Sequence, residues 1–184
     1  ASAMYGYQFQ NMQLCARDHG WARFEAMENH YNLLYREDER ELIPICRQMG
    51  VSLMPYSPLA AGHLTRPTWN TDTVRSRTDR VAMGKYDTTE QQGMQIVGRV
   101  HELTEKYGVK MQQIALAWHW ARGVASPIVG ATKAAYLDDA AGALDIELTA
   151  EDIAYIEEPY LPHRIVGAID KNPPQGVMLL DEKK

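Results

Sequence analysis

The sequence contains little cysteine and no long apolar run. Among its 184 residues there are two cysteines, Cys15 and Cys46, both in segments with helical patterning. Buried thiols in a reducing compartment are therefore favoured over a disulfide, and His19, one helical turn from Cys15, adds too few ligands for a metal site. No apolar run approaches the roughly 18 residues of a transmembrane span, and the first residues show no signal peptide. These absences predict a cytoplasmic protein.

Charge of one sign is not concentrated anywhere in the sequence. The formal charge of −5 is the sum of 24 acidic and 19 basic residues, which form no long single-sign block. This distribution excludes a nucleic-acid-binding surface and a membrane-binding stripe as predicted functions. The chain also lacks residue-level repeats and low-complexity tracts. Its hydrophobic content of 45% is enough to bury the core of one domain, or two at most.

Residues 51–64, VSLMPYSPLAAGHL, join a short apolar run to a loop of small residues. We predict that residues 51–54 form a buried strand, because four residues between Gly50 and Pro55 are too few for a helix. Ligands of parallel α/β folds bind at the carboxyl ends of strands. The loop that follows Pro55 is therefore a candidate binding site.

The residues of this loop offer complementary binding groups. Tyr56 provides a flat face for stacking and Ser57 provides a hydroxyl group. Ala60, Ala61 and Gly62 are expected to leave main-chain N–H groups uncovered, so that an anionic group such as a pyrophosphate can approach. A surface turn bounded by prolines, with a core aromatic residue, is the alternative that the loop chemistry alone leaves open.

Helical and strand-like patterns alternate along the chain, which predicts an α/β fold. Residues 1–4 contain no full strand, so the chain is expected to begin in mid-fold. Three strands fit the second half of a (β/α)₈ barrel, since a whole barrel takes about 250 residues. The predicted strands lie within residues 21–30, 51–54 and 126–129, and about six helices lie at residues 5–19, 36–49, 89–107, 111–122, 134–144 and from 149 onward.

Single residues and one loop carry more specific predictions. Pro44 is expected to kink or restart the second helix, and Gly108 to end the third. Thr132 and Thr149 are predicted N-caps. Residues 65–88, rich in threonine, aspartate and arginine, are predicted to be a long loop without regular structure.

Three separated motifs resemble the aldo-keto reductase superfamily in their order and spacing. They are MENHYNLLYREDERELIPICRQMGV, MPYSPLAAGHLTRP and SPIVGATK, and they are most similar to those of the bacterial and fungal reductases. The resemblance implies that residues 1–163 form the C-terminal half of a (β/α)₈ TIM barrel, followed by an irregular tail at residues 164–184. It also implies a reductase of aldehydes and ketones that transfers a hydride from NADPH.

The resemblance further implies a set of cofactor-binding residues. Ser2 matches the residue that holds the nicotinamide carboxamide, and Tyr56 matches the aromatic residue that stacks on the nicotinamide ring. Thr132 and Lys133 match the adenosine end, where a hydroxyl and a basic side chain suit a ribose 2′-phosphate and favour NADPH over NADH. Arg66 lies near the family's phosphate-contacting position. The full set is Ser2, Glu28, Tyr56, Ser57, Leu59, Gly62, Leu64, Arg66, Gly130, Thr132, Lys133, Tyr136 and Asp139.

Several of these positions depart from the family pattern. Glu28 replaces a glutamine that both donates to and accepts from the carboxamide, whereas a carboxylate only accepts. Tyr136 and Ala140 replace the glutamine and asparagine beside the adenine, Asp139 replaces a glutamate, and Ala3 stands where an asparagine or serine is common. Each lost neutral hydrogen bond costs about 0.5–1.5 kcal/mol, so weaker cofactor binding is expected rather than none.

No catalytic residue is predicted in this sequence. The catalytic Asp, Tyr, Lys and His of the family come from the first four strands, so the chain by itself is expected to be inactive. His30 lies at the ligand end of a strand, and its role as a packing or a pocket-lining residue stays open. The resemblance leaves a non-catalytic, nicotinamide-binding regulatory or channel-associated subunit as the alternative. The predicted partners are a carbonyl substrate and either a missing N-terminal half or a second copy of the chain.

Overall fold

A short parallel sheet organises the structure, a computed structural model that describes residues 1–69, 79–167 and 169. Strand β1 (Ala26–Met27) pairs with β2 (Ser52–Leu53), with Ala26 opposite Ser52 and Met27 opposite Leu53. Isolated parallel bridges extend the pairing on both sides. They join Ser2 to Glu28, His30 to Tyr56, and Tyr56 to Ile128. The predicted α/β class is confirmed, in a chain that is mostly helical.

The N-terminal residues add a parallel segment that the sequence predicted only as a lead-in. The amide of Ala3 donates to the carbonyl of Glu28 at 2.9 Å, and the amide of Glu28 donates to the carbonyl of Ala1 at 2.8 Å. The predicted strand within residues 126–129 is reduced to the single bridge at Ile128. Strand pairing depends on a distant partner, so the sequence indicates where strands lie better than how far they extend.

Most helices lie close to their predicted positions. Pro44 falls in the first turn of the second helix, which restarts after Glu41 as predicted, and its missing N–H is not needed there. The α-helices are α1 (Gly6–Asp18), α2 (Leu42–Gln48), α3 (Arg80–Tyr86), α4 (Glu90–Tyr107), α5 (Met111–Ala121), α6 (Ala134–Ala141) and α7 (Ala150–Glu157), and the 3₁₀ turns are Glu37–Arg40, Ala60–Thr65, Asp87–Thr89 and Gly142–Asp145.

The helix ends confirm two of the capping predictions and correct a third. Gly108 ends α4 in the left-handed conformation with φ +65°, and the hydroxyl of Thr149 accepts from the amide of Asp152 at 3.1 Å. The N-cap of α6 is Lys133, which makes no side-chain capping bond, so the predicted Thr132 cap is wrong. The helix begins one residue too late for the Thr132 hydroxyl to reach its first amides.

The prediction of an irregular loop over residues 65–88 is wrong in its second half. Helix α3 and the 3₁₀ turn Asp87–Thr89 lie there, while residues 70–78 are outside the described residues. Tyr86, 1% exposed, anchors α3 to the rest of the protein. This helix is short and stabilised by a distant contact, so helical periodicity alone does not reveal it.

One hydrophobic core joins the sheet to the helices. Met27 and Leu53 of the sheet pack in the same buried cluster as Phe9, Ile43 and Trp118. Cys15 and Cys46 are free; Cys46 is buried as predicted, whereas Cys15 is partly exposed. Burial raises the pKa of the Cys46 thiol to about 11. Across residues 1–69 and 79–167, none of the helices combines the length and the apolar character that crossing a bilayer requires. Residues 164–167 form no helix or strand, and most of the predicted tail lies outside the described residues.

Candidate functional site

A cavity of about 810 Å³ opens beyond the carboxyl end of β2. Its volume is within the range of small-molecule and cofactor sites. Three parts of the chain form most of its walls: the loop that follows β2, the region of α3, and the segment that leads from Ile128 into α6. Gln112 of α5 adds one further contact. Seven of the predicted cofactor-binding residues line it, namely Tyr56, Ser57, Leu59, Gly62, Gly130, Thr132 and Tyr136.

The backbone of the loop after β2 is held in an uncommon conformation. Ser57, Ala60 and Ala61 have φ values of +55°, +48° and +56°, and Gly62 has φ +97°. A left-handed conformation costs a residue with a side chain roughly 1 kcal/mol or more, and such residues cluster at binding sites. Three of the four non-glycine residues with positive φ in the described backbone therefore lie in the predicted binding loop, and the fourth is Ala3 with φ +41°.

Main-chain hydrogen bonds within this loop correct one prediction. The amide of Ala60 donates to the carbonyl of Ser57 at 3.0 Å, and the amide of Gly62 donates to the carbonyl of Leu59 at 2.9 Å. These two N–H groups are therefore not uncovered for an anion. Leu64 is fully buried, so its side chain belongs to the core and holds the loop from beneath.

Tyr56 is held by a stack of aromatic side chains. Its ring lies 5.2 Å from the ring of His30 at an angle of 9°, and His30 stacks in turn on Tyr35 at 4.1 Å and 13°. His30 Nε2 also lies 2.8 Å from the hydroxyl of Tyr86. Burial lowers the pKa of His30 to about 3, so the imidazole is neutral near pH 7. Of the two roles left open for His30, the structure supports packing, since the residue is 4% exposed.

Lys85, in the last turn of α3, is a cavity residue that the sequence analysis missed. Its ammonium nitrogen lies 4.8 Å from the centroid of the Tyr56 ring. The hydroxyl of Tyr86, the next residue, accepts a hydrogen bond from Asn32 Nδ2 at 3.0 Å and fixes this end of the helix. The stretch RVAMGKY contains good helix formers, Arg, Ala, Met and Lys, and this composition is the signal that could have indicated α3.

The predicted residues of the adenosine end have different surroundings. Among the described residues, Gly130 has no atom within 4 Å of the position that a Cβ would occupy, so a ligand can approach its backbone. Lys133 Nζ lies 5.8 Å from the centroid of the Tyr136 ring. The carboxylate of Asp139 is paired with Lys110 Nζ at 2.6 Å, so it is neutralised by the protein itself.

The other predicted residues lie outside the cavity wall. Ser2 and Glu28 are bridged to each other at the strand end next to Tyr56. Glu28 is close enough for its charge to raise the pKa of Tyr56, although burial is the larger cause of that shift, to about 12. Arg66 lies behind Gly62, where an added Cβ would come within 3.2 Å of the guanidinium.

The cavity suits an elongated anionic ligand that carries a flat ring. Lys85 lines it, and Arg66 and Lys133 lie next to residues that do. Within the described ranges, none of these three cations has a carboxylate at ion-pair distance. Arg66 Nε is buried without a hydrogen-bond partner among the same residues. Tyr56 supplies the aromatic face, so positive charge and a stacking surface occur together.

Comparison with known proteins identifies the family. The aldo/keto reductase family model matches residues 4–160, and the chain belongs to this family. A Schizosaccharomyces pombe protein named "putative aryl-alcohol dehydrogenase" is 47% identical over 92% of this chain and 48% of its own length. Versiconal hemiacetal acetate reductase of Aspergillus parasiticus is 40% identical over 90% of this chain and 48% of its own length. The chain thus spans about half the length of the curated relatives it matches.

Proposed function

We propose that this chain supplies the cofactor-binding part of an NADPH-dependent aldo-keto reductase, which reduces aldehydes or ketones by hydride transfer. The observation that carries the proposal is the cavity at the carboxyl end of β2, where an aromatic face meets cations that have no carboxylate partner in the described ranges, in a chain of this family. The names of the relatives, a reductase and a dehydrogenase, favour an oxidoreductase over a regulatory or channel-associated subunit.

The nicotinamide end of the cofactor is proposed to lie on Tyr56. The stack of Tyr35, His30 and Tyr56 fixes the orientation of this ring before a ligand arrives, which lowers the entropy cost of binding. Ser2 and Glu28, bridged at the adjacent strand end, are placed to bind the carboxamide. When bound, the reduced nicotinamide supplies the hydride for the carbonyl carbon.

The diphosphate and the adenosine are proposed to lie along the two remaining walls. The Ser57 hydroxyl contacts the diphosphate, Leu59 and Gly62 shape the wall around it with Arg66 behind them, and Leu64 keeps this loop in place from the core. At the far end, Gly130 allows a close approach, while Thr132 and Tyr136 line the wall.

The preference for NADPH is proposed to come from Lys133. Its ammonium has no carboxylate partner in the described ranges, whereas Lys110 neutralises Asp139, which would otherwise repel a phosphate. Lys133→Gln should raise the dissociation constant of NADPH about tenfold and leave that of NADH nearly unchanged, as loss of a charged hydrogen bond requires. Lys106→Gln, which removes a lysine paired with Asp152 at 2.7 Å, is the matched control. Equal effects of Lys133→Gln on both cofactors would contradict this role.

The fold is proposed to be the C-terminal half of a (β/α)₈ barrel. Four successive segments, at Ser2, β1, β2 and Ile128, pair in parallel and in chain order, as they do in such a barrel. Helix α6 has no buried side chain, and Leu137 is 53% exposed. The outer segments of this sheet, at Ser2 and Ile128, are its two edges. An N-terminal half of the same protein would cover these edges, and a second copy of the chain is the alternative.

Two measurements test the proposed function. Purified protein that contains this chain should oxidise NADPH when an aldehyde is added, as followed by absorbance, and no oxidation with any aldehyde of a panel would contradict reductase activity. Light scattering combined with denaturing mass spectrometry identifies what covers the barrel edges. A well-folded monomer of 20.8 kDa without a partner would contradict the half-barrel.

A further inference from the structure

The ammonium of Lys85 lies over the ring on which the proposed function places the nicotinamide. The distance from Nζ to the Tyr56 centroid is 4.8 Å. This position is built into the fold, because the neighbouring Tyr86 is buried and bonded to both His30 and Asn32. Gly167 packs against the Lys85 side chain, since a Cβ added at Gly167 would lie 3.4 Å from Lys85 Cε.

Among the described residues, no close partner cancels the charge of Lys85. In those ranges no carboxylate lies at ion-pair distance from its ammonium, in contrast to Lys106 and Lys110, which pair at 2.7 Å and 2.6 Å. Asp79 acts on it through a longer-range interaction that raises the pKa of Lys85, while burial, the larger cause, lowers this pKa. On the side of the sheet, Glu28 contributes a negative charge near Tyr56.

The two redox forms of the cofactor differ in charge at the nicotinamide ring. The oxidised ring carries one positive charge and the reduced ring is neutral, while the two forms have the same phosphates. His30 covers one face of the Tyr56 ring, so the other face is the one available to a nicotinamide. With a stacking gap of about 3.5 Å, a ring on that face lies at most about 8 Å from Lys85 Nζ, because Nζ is 4.8 Å from the Tyr56 centroid. This distance is within a Debye length, in a site that is partly shielded from water.

We propose that Lys85 makes the site discriminate between the two redox forms, because its ammonium repels the oxidised nicotinamide and leaves the reduced one unaffected. This inference rests on the proposed stacking at Tyr56. Lys85 also attracts the phosphates, but that attraction is the same for both forms and cancels in the ratio of their dissociation constants. The consequence is that the protein releases NADP⁺ readily and holds NADPH, which favours carbonyl reduction over alcohol oxidation.

Calorimetric titration of NADPH and NADP⁺ tests the proposal. In Lys85→Gln, the ratio of the dissociation constant of NADP⁺ to that of NADPH should fall by about three- to tenfold, as a lost unit-charge repulsion at this distance requires. Lys85→Arg keeps the charge and should keep the ratio of the wild type. Glu28→Gln removes an attractive charge and should move the ratio in the opposite direction. Lys106→Gln, which removes a lysine paired with Asp152 away from the cavity, is the control that should leave the ratio unchanged.

The outcomes separate this proposal from the function on which it rests. An unchanged ratio in Lys85→Gln, with a thermal melt like that of the wild type, would overturn the role of Lys85 alone. If Lys85→Gln melts at a lower temperature than the wild type, Lys85→Arg decides the outcome. A ratio of dissociation constants that falls as much in Lys85→Arg as in Lys85→Gln would also overturn the role of Lys85. A wild-type protein that binds neither form would overturn the proposed function and this inference together.

Discussion

The cavity at Tyr56 and a cluster of ion pairs beside α7 are both rich in charge, but they differ in how completely their polar atoms are paired. In the ion-pair cluster, Arg36 contacts Glu39 at 2.9 Å and Glu157 at 3.2 Å, and Trp118 donates to Glu157 at 2.6 Å. At the cavity, the cations Arg66, Lys85 and Lys133 have no carboxylate at ion-pair distance within the described ranges.

The difference indicates which charges stabilise the fold and which are available to a ligand. Buried polar atoms are nearly always hydrogen-bonded, so unpaired ones at a cavity are best explained by a partner that binds there. Arg66 Nε, buried without a partner among the described residues, lies next to the cavity wall. In the ion-pair cluster, Arg122 Nε also lacks a hydrogen-bond partner among these residues, but it lies 3.1 Å from the Glu157 carboxylate. We therefore expect substitutions in the ion-pair cluster to change stability, and substitutions at the cavity to change binding.

The largest expected effect is on stability and comes from Arg36→Met. The Arg36 side chain is 10% exposed and contacts both Glu39 and Glu157. Its removal leaves these two carboxylates with Arg122 alone, which lies 3.6 Å from Glu39 and 3.1 Å from Glu157 and is 34% exposed. The free energy of unfolding should fall by about 3 kcal/mol, as chemical denaturation would measure, with the NADPH dissociation constant unchanged.

Arg17→Met is the matched control for this substitution. Arg17 pairs with Asp18 at 2.7 Å, and both side chains are more than half exposed, at 60% and 59%. An exposed ion pair contributes at most about 1 kcal/mol, so this variant should be close to the wild type. Equal losses in the two arginine variants would contradict the distinction between buried and exposed pairs.

The second prediction concerns Asp38, a buried carboxylate that receives a hydrogen bond from Asn29 at 3.0 Å but has no cation at ion-pair distance in the described ranges. Burial raises the pKa of Asp38 from 3.8 to about 6. In this interval the folded protein keeps the proton that the unfolded chain has lost, so stability falls as the pH rises from about 4 to 6. Asp38→Asn should remove this slope and raise the free energy of unfolding at pH 7 by about 2–3 kcal/mol, since one pKa unit corresponds to about 1.4 kcal/mol.

Denaturation curves of the wild type and of Asp38→Asn at several pH values measure the contribution of Asp38 to the pH dependence of stability. The nearby titratable groups Glu37, Cys46, Tyr35 and Tyr56 are present in both proteins, so the difference between the two curves isolates Asp38. Parallel curves would show that Asp38 ionises in the folded protein as it does in the unfolded chain.

The smallest expected effect comes from Glu28→Gln. The amide restores the donor that a carboxamide needs and removes a carboxylate from the strand end beside Tyr56, so NADPH should bind more tightly by about 1 kcal/mol. Fluorescence titration with NADPH measures this. Weaker binding in Glu28→Gln would mean that the carboxylate has another partner.

Local signals in the sequence were sufficient for several helix ends, though not for the start of α6, and for the position of the loop after β2 and the α/β class. Gly108 ends its helix and Thr149 caps the next residues of its own helix, so both effects involve residues adjacent in the chain. Pro44 likewise affects only the helix that contains it. Tyr56 and Gly130, which the family resemblance implied, lie within two residues of the ends of predicted strands, where parallel α/β folds bind their ligands, and both line the cavity. These features depend on residues close in the chain.

What the sequence could not provide depends on contacts between distant residues. Helix α3 is stabilised by Tyr86, whose partners His30 and Asn32 precede it by 56 and 54 positions, so Lys85 was not recognised as part of the cavity. The amides of Ala60 and Gly62 were expected to be uncovered, but the left-handed turn directs them to carbonyls of their own loop.

The central claim is that the cavity at the end of β2 binds a nicotinamide dinucleotide with its ring on Tyr56. Equilibrium titration of NADPH into the wild type, Tyr56→Phe and Tyr56→Ala tests it most directly. Stacking contributes about 1–3 kcal/mol per ring, so Tyr56→Ala should raise the dissociation constant roughly tenfold or more, while Tyr56→Phe keeps the aromatic face and should bind like the wild type. Saturable binding that is unchanged in Tyr56→Ala would contradict the claim.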